Sequence, residues 1–305
     1  MINEIVEEIG SSKEEPSKEI FLAKINSFLE GRKLDEMIHN FWEYRNKIKV
    51  EINENYISLI KELSFFFLFL EDINNFIKIS FEENKNKEEI KYRINVCSKL
   101  YNKSLQTFID IFGLLENGSI SNVYLLWRSI YENYIITKYL VDGPEEEAKL
   151  FNEHKIIQEK RLLAKEFTGE EIEKFIKLFG KDFKNDFCWA KRINGKKTIY
   201  KIIKYINENT YYPFYILSTL IGHSSSFSVN RGIIYQDEIP NTSMIGYFPE
   251  KVAHQINLLI TTLTDYAKLL LKHFVNEDYR ILIEKLLDYF GFEINKKYEK
   301  NIYCT

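Results

Sequence analysis

The stretch LLWRSIYENYIITKYL, Leu125 to Leu140, is apolar on almost every side of a helix, yet it carries Arg128 and Glu132 one turn apart in its middle. A helix with no polar face belongs at the centre of a bundle. A charge carried there must be paired or put to use, because burying it alone costs several kcal/mol. The chain is therefore expected to be all-α, a helical bundle built round this segment, with a polar site enclosed by it or opening from it.

Composition narrows the alternatives. Only 12 Gly and 5 Pro occur in 305 residues, which disfavours a many-turned β architecture. The net charge of −3 gives no global attraction to nucleic acid, so any phosphate contact needs a local basic patch. The cysteines Cys97, Cys188 and Cys304 are odd in number and show no CxxC spacing, as expected of a reducing compartment without a disulfide framework or a Cys-based zinc site. The N-terminus, MINEIVEEIG, has none of the features of a signal peptide. The longest strongly apolar run, Phe65 to Leu70, falls far short of the roughly 20 residues that span a bilayer. The expectation is a cytoplasmic, soluble protein with no membrane association.

Along the chain, a helical stripe follows Pro16-Ser17, a break comes at Gly31, a second piece runs through Met37, Phe41, Trp42 and Ile48, and a third covers about Asn55 to Phe81. The polar run Glu82 to Glu89 separates an N-terminal helical extension, 1–85, from a bundle domain, 86–305. Further helices are expected over Lys91–Leu115, over the central segment capped by Ser119 or Ser121, and over 145–166 after the stop Asp142-Gly143-Pro144. Thr168-Gly169-Glu170-Glu171 opens a short helix with acid in its first turn. Residues 181–197 read as irregular, and Thr198–Asn207 and Tyr211–His223 as helical. Residues 224–249 read as a long loop, Pro249–Phe274 as a long helix, and the last helix starts at Glu277 and ends at Gly291.

Three groups of residues are candidates for chemistry. Arg128 and Glu132 lie at i,i+4 and share a face. They make either an intrahelical ion pair or a guanidinium held by Glu132 and aimed at a phosphate or carboxylate; Ser129 and Asn133 extend the polar patch. The second group is Ser218 to Ser226. Its Ser218–Gly222 strip lets another helix approach closely, and His223 sits at a helix C-terminus where the dipole favours the imidazolium. Ser224 and Arg231 follow. The third is Trp189 to Lys197, where Lys191 and Arg192 stand among basic residues that continue through Lys201 and Lys204; basic groups with interleaved aromatics suit phosphates and stacked bases. Glu36 and His39 have the spacing of a di-iron helix pair, but there is no second copy, and HExxH, Walker, GxGxxG and GxSxG motifs are absent. No metal or cofactor is expected.

The blocks Arg128-Ser129-x-x-Glu132, Trp189-Ala190 and Tyr215-x-x-Ser218 with His223-Ser224 resemble, in order and spacing, a bacterial all-helical family of unknown function, over roughly residues 90 to 270. The resemblance implies an all-α fold with a shared site of Arg, Glu and His, and no established activity. A looser likeness is to the HEPN group of helical ribonucleases from toxin–antitoxin and abortive-infection systems. Their Arg and His share one helix, whereas the residue four after Arg128 is Glu132, so His223 has to come from another helix.

Two functions of different class are compatible with these features. One is a bacterial defence or stress effector acting as a metal-independent ribonuclease on RNA, with Arg128 on the scissile phosphate, Glu132 orienting it and His223 as general acid or base. The other is a non-enzymatic module that binds a partner protein or a small anionic ligand, with Arg128, Glu132 and His223 as a structural network. A homodimer is compatible with both. Both versions place His223 or Ser218 within about 6 Å of Arg128 or Glu132, the range over which charges shift one another's pKa.

Overall fold

The computed structural model describes residues 32–84, 89–117, 120–222, 234–236, 239–241 and 249–302. The fold is all-α: among the described residues there are nine helices and one pair of three-residue strands. The helices are α1 (Arg32–Asn84), α2 (Lys91–Glu116), α3 (Ile120–Val141), α4 (Glu145–Leu162), α5 (Gly169–Phe179), α6 (Ile199–Tyr205), α7 (Tyr212–Gly222), α8 (Pro249–Phe274) and α9 (Glu277–Ile302). Among the described residues no helix is long and apolar enough to cross a membrane. The chain divides into two compact units, Met1–Tyr56 and Ile57–Thr305, and the boundary falls inside α1.

In the first unit the described part is the start of α1, where His39 and Glu43 sit one turn apart at 3.6 Å on an exposed face. The stripe after Ser17 and the break at Gly31 lie outside the described residues. The two pieces expected over 37–48 and 55–81 are one continuous helix. Arg32 to Asn84 contains neither Gly nor Pro, so nothing local stops it.

In the second unit the C-terminal part of α1 buries Leu63, Phe66, Leu70, Ile73 and Ile77, alternating three and four residues apart along one helical stripe. The run Phe65–Leu70 is thereby split, with Phe66 and Leu70 inside and Phe65 and Leu68 52% and 57% exposed. The stripe meets Phe108 of α2, whose ring centroid is 6.5 Å from that of Phe66. Beside it, Phe290 of α9 packs on Phe65 and Phe69 at 5.0 and 5.3 Å.

α3 occupies the centre, with α2, α4, α6, α7 and α8 all packed on it. Trp127, Ile130, Tyr131, Ile135, Tyr139 and Leu140 are all buried. Three of its polar side chains are closed by partners on neighbouring helices, as burial favours. Trp127 Nε1 donates to Thr262 Oγ1 at 3.0 Å, Thr137 and Tyr266 share a hydroxyl–hydroxyl bond of 2.6 Å, and Asn133 Nδ2 donates to Ser104 Oγ at 3.1 Å.

Helix ends follow local chemistry, with some tertiary substitutions. α3 stops at Asp142-Gly143-Pro144, and a Cβ on Gly143 would come within 2.8 Å of the Arg192 guanidinium carbon. α2 has no side-chain cap of its own. The Glu145 carboxylate of α4 supplies one, accepting from the backbone N–H groups of Tyr92 and Arg93. Thr168 and Glu171 form a reciprocal capping box at the start of α5, Thr168 Oγ1 accepting from Glu171 N at 3.3 Å and Glu171 Oε2 from Thr168 N at 2.9 Å. α9 does not end at Gly291 as expected. There Gly291 faces Thr264 and Ile260 of α8, and packing overrides a propensity penalty of about 1 kcal/mol. Within 224–249 the described residues form a short antiparallel ladder, β1 (Ile234–Gln236) with β2 (Ile239–Asn241), Tyr235 opposite Pro240.

Candidate functional site

Arg128 and Glu132 pair along α3, Nε to Oε1 at 2.9 Å, and α7 closes the group with Tyr215. Its hydroxyl accepts from Arg128 Nη2 at 3.3 Å and donates to Glu132 Oε1 at 3.0 Å, and the guanidinium lies 5.0 Å from the centroid of its ring. The two charged side chains are each 32% exposed. Burial, followed by the Glu132 charge, pushes the Tyr215 phenol up to about 12, so it remains a donor at neutral pH. Burial pulls the Arg128 guanidinium down, but the hydrogen bond and charge of Glu132 and the contact with Tyr215 outweigh it and hold the group protonated. A guanidinium has five N–H donors. Two are engaged here, and among the described residues no acceptor meets the other three.

A second group has the same three residue types and a different burial. Glu147 of α4 is 1% exposed and accepts from Arg192 Nε at 2.7 Å, Arg192 N at 2.8 Å and Tyr139 Oη at 2.6 Å. The Arg192 guanidinium stacks 3.9 Å from the Tyr139 ring centroid and donates to the carbonyls of Tyr139 and Asp142. Its donors are thus turned inward, on the α3–α4 corner.

Beside the first group runs a line of rings on α6 and α7. Tyr200 and Tyr212 are 5.6 Å apart, Tyr212 and Tyr215 6.4 Å apart with planes 24° from parallel, and Lys204 Nζ lies 4.6 Å above Tyr200. The line therefore runs cation, three tyrosines, cation, from Lys204 to Arg128. Tyr200 and Lys204 are exposed and Tyr212 is half-buried. On the inner side, Tyr131 stacks on Trp127, and its buried hydroxyl has no hydrogen-bond partner among the described residues.

The other sequence candidates are distributed around this region. Ser129 is exposed. Asn133 turns to α2 through Ser104, and Ser218 is buried with its hydroxyl on the carbonyl of Tyr215. Lys191 donates to the Leu178 carbonyl at 2.6 Å. His223, Ser224 and Arg231 lie outside the described residues, as does the expected proximity of His223 to Arg128. The preceding residue, Gly222, abuts α3: a Cβ there would stand 2.8 Å from Leu125 Cδ2. Among the described residues no group of three or more His, Cys, Asp or Glu side chains is placed to hold a metal.

Sequence reasoning did not select Tyr215 as a site residue, because a tyrosine on an apolar helix reads as core; its own signal was a place in the Tyr215-x-x-Ser218 block. It also passed over His254 of α8, whose Nδ1 is 3.0 Å from the hydroxyl of Tyr124, one turn before Arg128 on α3. No local pattern marks His254, since the contact joins residues 130 positions apart.

No curated protein and no solved structure matches the chain. Residues 94–238 match the family of unknown function DUF5677, a span that takes in α3, α6 and α7 and so the Arg128–Glu132–Tyr215 group and the tyrosine line beside it.

Proposed function

We propose that the chain binds single-stranded RNA along the α6–α7 face, with Arg128 on a phosphate, and cleaves it without a metal. The observation that carries the reading is Arg128 itself: a guanidinium fixed by Glu132 and Tyr215, a third exposed, with three donors that no acceptor among the described residues meets. An arginine pre-oriented in this way suits a phosphate, because little ordering remains to be done on binding. The line from Lys204 through Tyr200 and Tyr212 supplies the second requirement of a single-stranded track, a row of rings with a cation at each end. For the chemistry, the ribose 2′-oxygen attacks the adjacent phosphorus and the 5′-oxygen leaves, giving a 2′,3′-cyclic phosphate. Arg128 stabilises the phosphate charge, Glu132 orients Arg128, and His223 serves as general base on the 2′-hydroxyl or as general acid on the departing 5′-oxygen.

The test separates binding from cleavage. Wild-type protein is expected to bind a short single-stranded RNA with an affinity that falls with salt. Arg128→Gln should weaken binding and reduce the log–log salt slope by about 0.7, the contribution of one phosphate on a single strand. Cleavage in EDTA should be lost in His223→Ala with binding retained. His254→Ala, run beside it, decides which imidazole acts. Absence of RNA binding by the wild type removes the proposal.

The closed geometry of the group favours a second reading, a non-enzymatic module in which the same guanidinium captures a small anion. RNA binding that depends on Arg128 without any cleavage, or Arg128-dependent binding of a small phosphate ester alone, selects it.

A further inference from the structure

Away from the Arg128 group, the irregular stretch after α5 encloses a groove of about 1160 Å³ between residues 179–185 on one side and 195–197 on the other. Both walls turn at glycines with positive φ, Gly180 at +93° and Gly195 at +71°, a conformation other residues rarely adopt. The walls are tied down without a ligand. Arg161 of α4 donates to the Lys184 carbonyl at 2.9 Å and pairs with Asp186 at 2.6 Å, while Lys197 donates to the Cys188 carbonyl at 2.9 Å. A groove fixed in advance avoids the ordering cost of binding.

Its lining is strongly cationic. Lys181, Lys184, Lys196 and Lys197 stand against one carboxylate, Asp182, and among the described residues none of the four is in an ion pair. This concentration of positive charge occurs in a chain of net charge −3. Burial and then the nearby charge of Lys191 lower the pKa of Lys197, against the raising effect of Glu147 and Asp182. Two rings line the groove, but Phe179 and Phe183 are only 4% and 5% exposed, which leaves no open face for a base to stack on. The groove therefore selects phosphates and not bases, and its volume is far larger than a single phosphate requires.

We propose that this groove binds a compact polyphosphate anion, a run of several linked phosphates held by Lys181, Lys184, Lys196 and Lys197. The site is independent of the RNA-binding reading of Arg128. The source of the anion is either an inorganic polyphosphate or the phosphate tail of a nucleotide.

Calorimetric titration of the full chain with inorganic tripolyphosphate, ATP, AMP and inorganic phosphate tests the proposal. Tripolyphosphate is expected to bind with unit stoichiometry, and AMP and phosphate at least about tenfold more weakly. Equal affinity for ATP identifies the phosphate tail alone as the determinant; a stronger ATP signal identifies a nucleotide. The variant Lys181→Glu/Lys196→Glu should lose about tenfold or more in affinity. The charge-matched control Lys78→Glu/Lys103→Glu, on exposed residues of α1 and α2, should bind as the wild type does. Lysine acetylation footprinting of the wild type, which does not depend on any variant folding, should show tripolyphosphate protecting the four groove lysines. Equal weakening by the control pair, protection spread over all lysines, or binding of single-stranded RNA but not tripolyphosphate at these lysines would overturn the proposal.

Discussion

At the scale of single residues, two Arg–Glu–Tyr groups with the same hydrogen-bonding logic differ in their access to water. Glu147 is 1% exposed, whereas Glu132 is 32% exposed, and this difference decides what each group contributes. Removing one partner of a buried pair strands the other charge, at a cost of about 3–5 kcal/mol. Removing one partner of a solvated i,i+4 pair costs less than about 1 kcal/mol. Glu147→Ala is accordingly expected to lower the unfolding free energy by about 3–5 kcal/mol in urea titrations, and Glu132→Ala by less than about 1 kcal/mol. A comparable loss in both would make the Arg128 group structural. Gly143→Ala should behave like Glu147→Ala, because the new methyl group takes the space of the Arg192 guanidinium. The Arg128–Glu132 pair was legible because i,i+4 spacing on a helix is a local signal. The Arg192–Glu147 pair was not, because its partners lie 45 residues apart and meet only through the fold. Read from sequence alone, Arg192 is one more cation in a basic loop.

At the scale of elements, local signals fixed helix ends wherever the chain itself supplies the cap or the stop. The Thr168–Glu171 box and the Asp142-Gly143-Pro144 stop were both readable on that ground. Where tertiary contacts decide, the sequence is silent: α9 continues past Gly291 because α8 packs on it there, and α2 is capped by a carboxylate from α4. His154 on α4 is another such contact, and it titrates. Its ring is buried, and Nε2 donates to the Phe183 carbonyl at 3.2 Å, tying α4 to the turn after α5. Burial outweighs that hydrogen bond and lowers its pKa below the ordinary 6.5. The folded state therefore binds fewer protons than the unfolded state as pH falls through this range. The stability tied to neutral His154 is present in full above about pH 6.5 and is lost as pH falls from there toward the depressed folded value, with a limiting slope of about 1.4 kcal/mol per pH unit. His154→Gln keeps a donor for the carbonyl and cannot titrate. Its unfolding free energy relative to wild type should be level above about pH 6.5 and should rise in its favour below that pH. Parallel curves from pH 8 to pH 5 would remove His154 as the source of acid sensitivity.

At the scale of the whole molecule, the central place of α3 was legible because a helix with no polar face has only one place to go. The extent of α1 was not, because a solvated stretch between two apolar pieces reads as a break even though neither Gly nor Pro interrupts it. The division of the chain follows from that difference. The polar run Glu82–Glu89 suggests a separable extension ending at residue 85, whereas the compact units meet at Tyr56 and Ile57. Truncation distinguishes the two. A chain starting at Ile57 keeps the buried stripe Leu63, Phe66, Leu70, Ile73 and Ile77, of which Phe66 packs on Phe108 of α2, and the contacts of Phe65 and Phe69 with Phe290 of α9. A chain starting at residue 86 loses all five. Each buried side chain of this kind is worth about 1.5–3 kcal/mol, so the stripe is comparable to the entire stability of an ordinary domain, about 5–15 kcal/mol. The 57–305 chain is thus expected to unfold cooperatively, with helical circular dichroism per residue close to that of the full chain. The 86–305 chain should be largely unfolded or aggregated at the same temperature, because Phe108 and its neighbours are left facing water. A stable, cooperatively folding 86–305 chain would instead make residues 1–85 a true extension, and the stripe on α1 a surface that the rest of the molecule does not need.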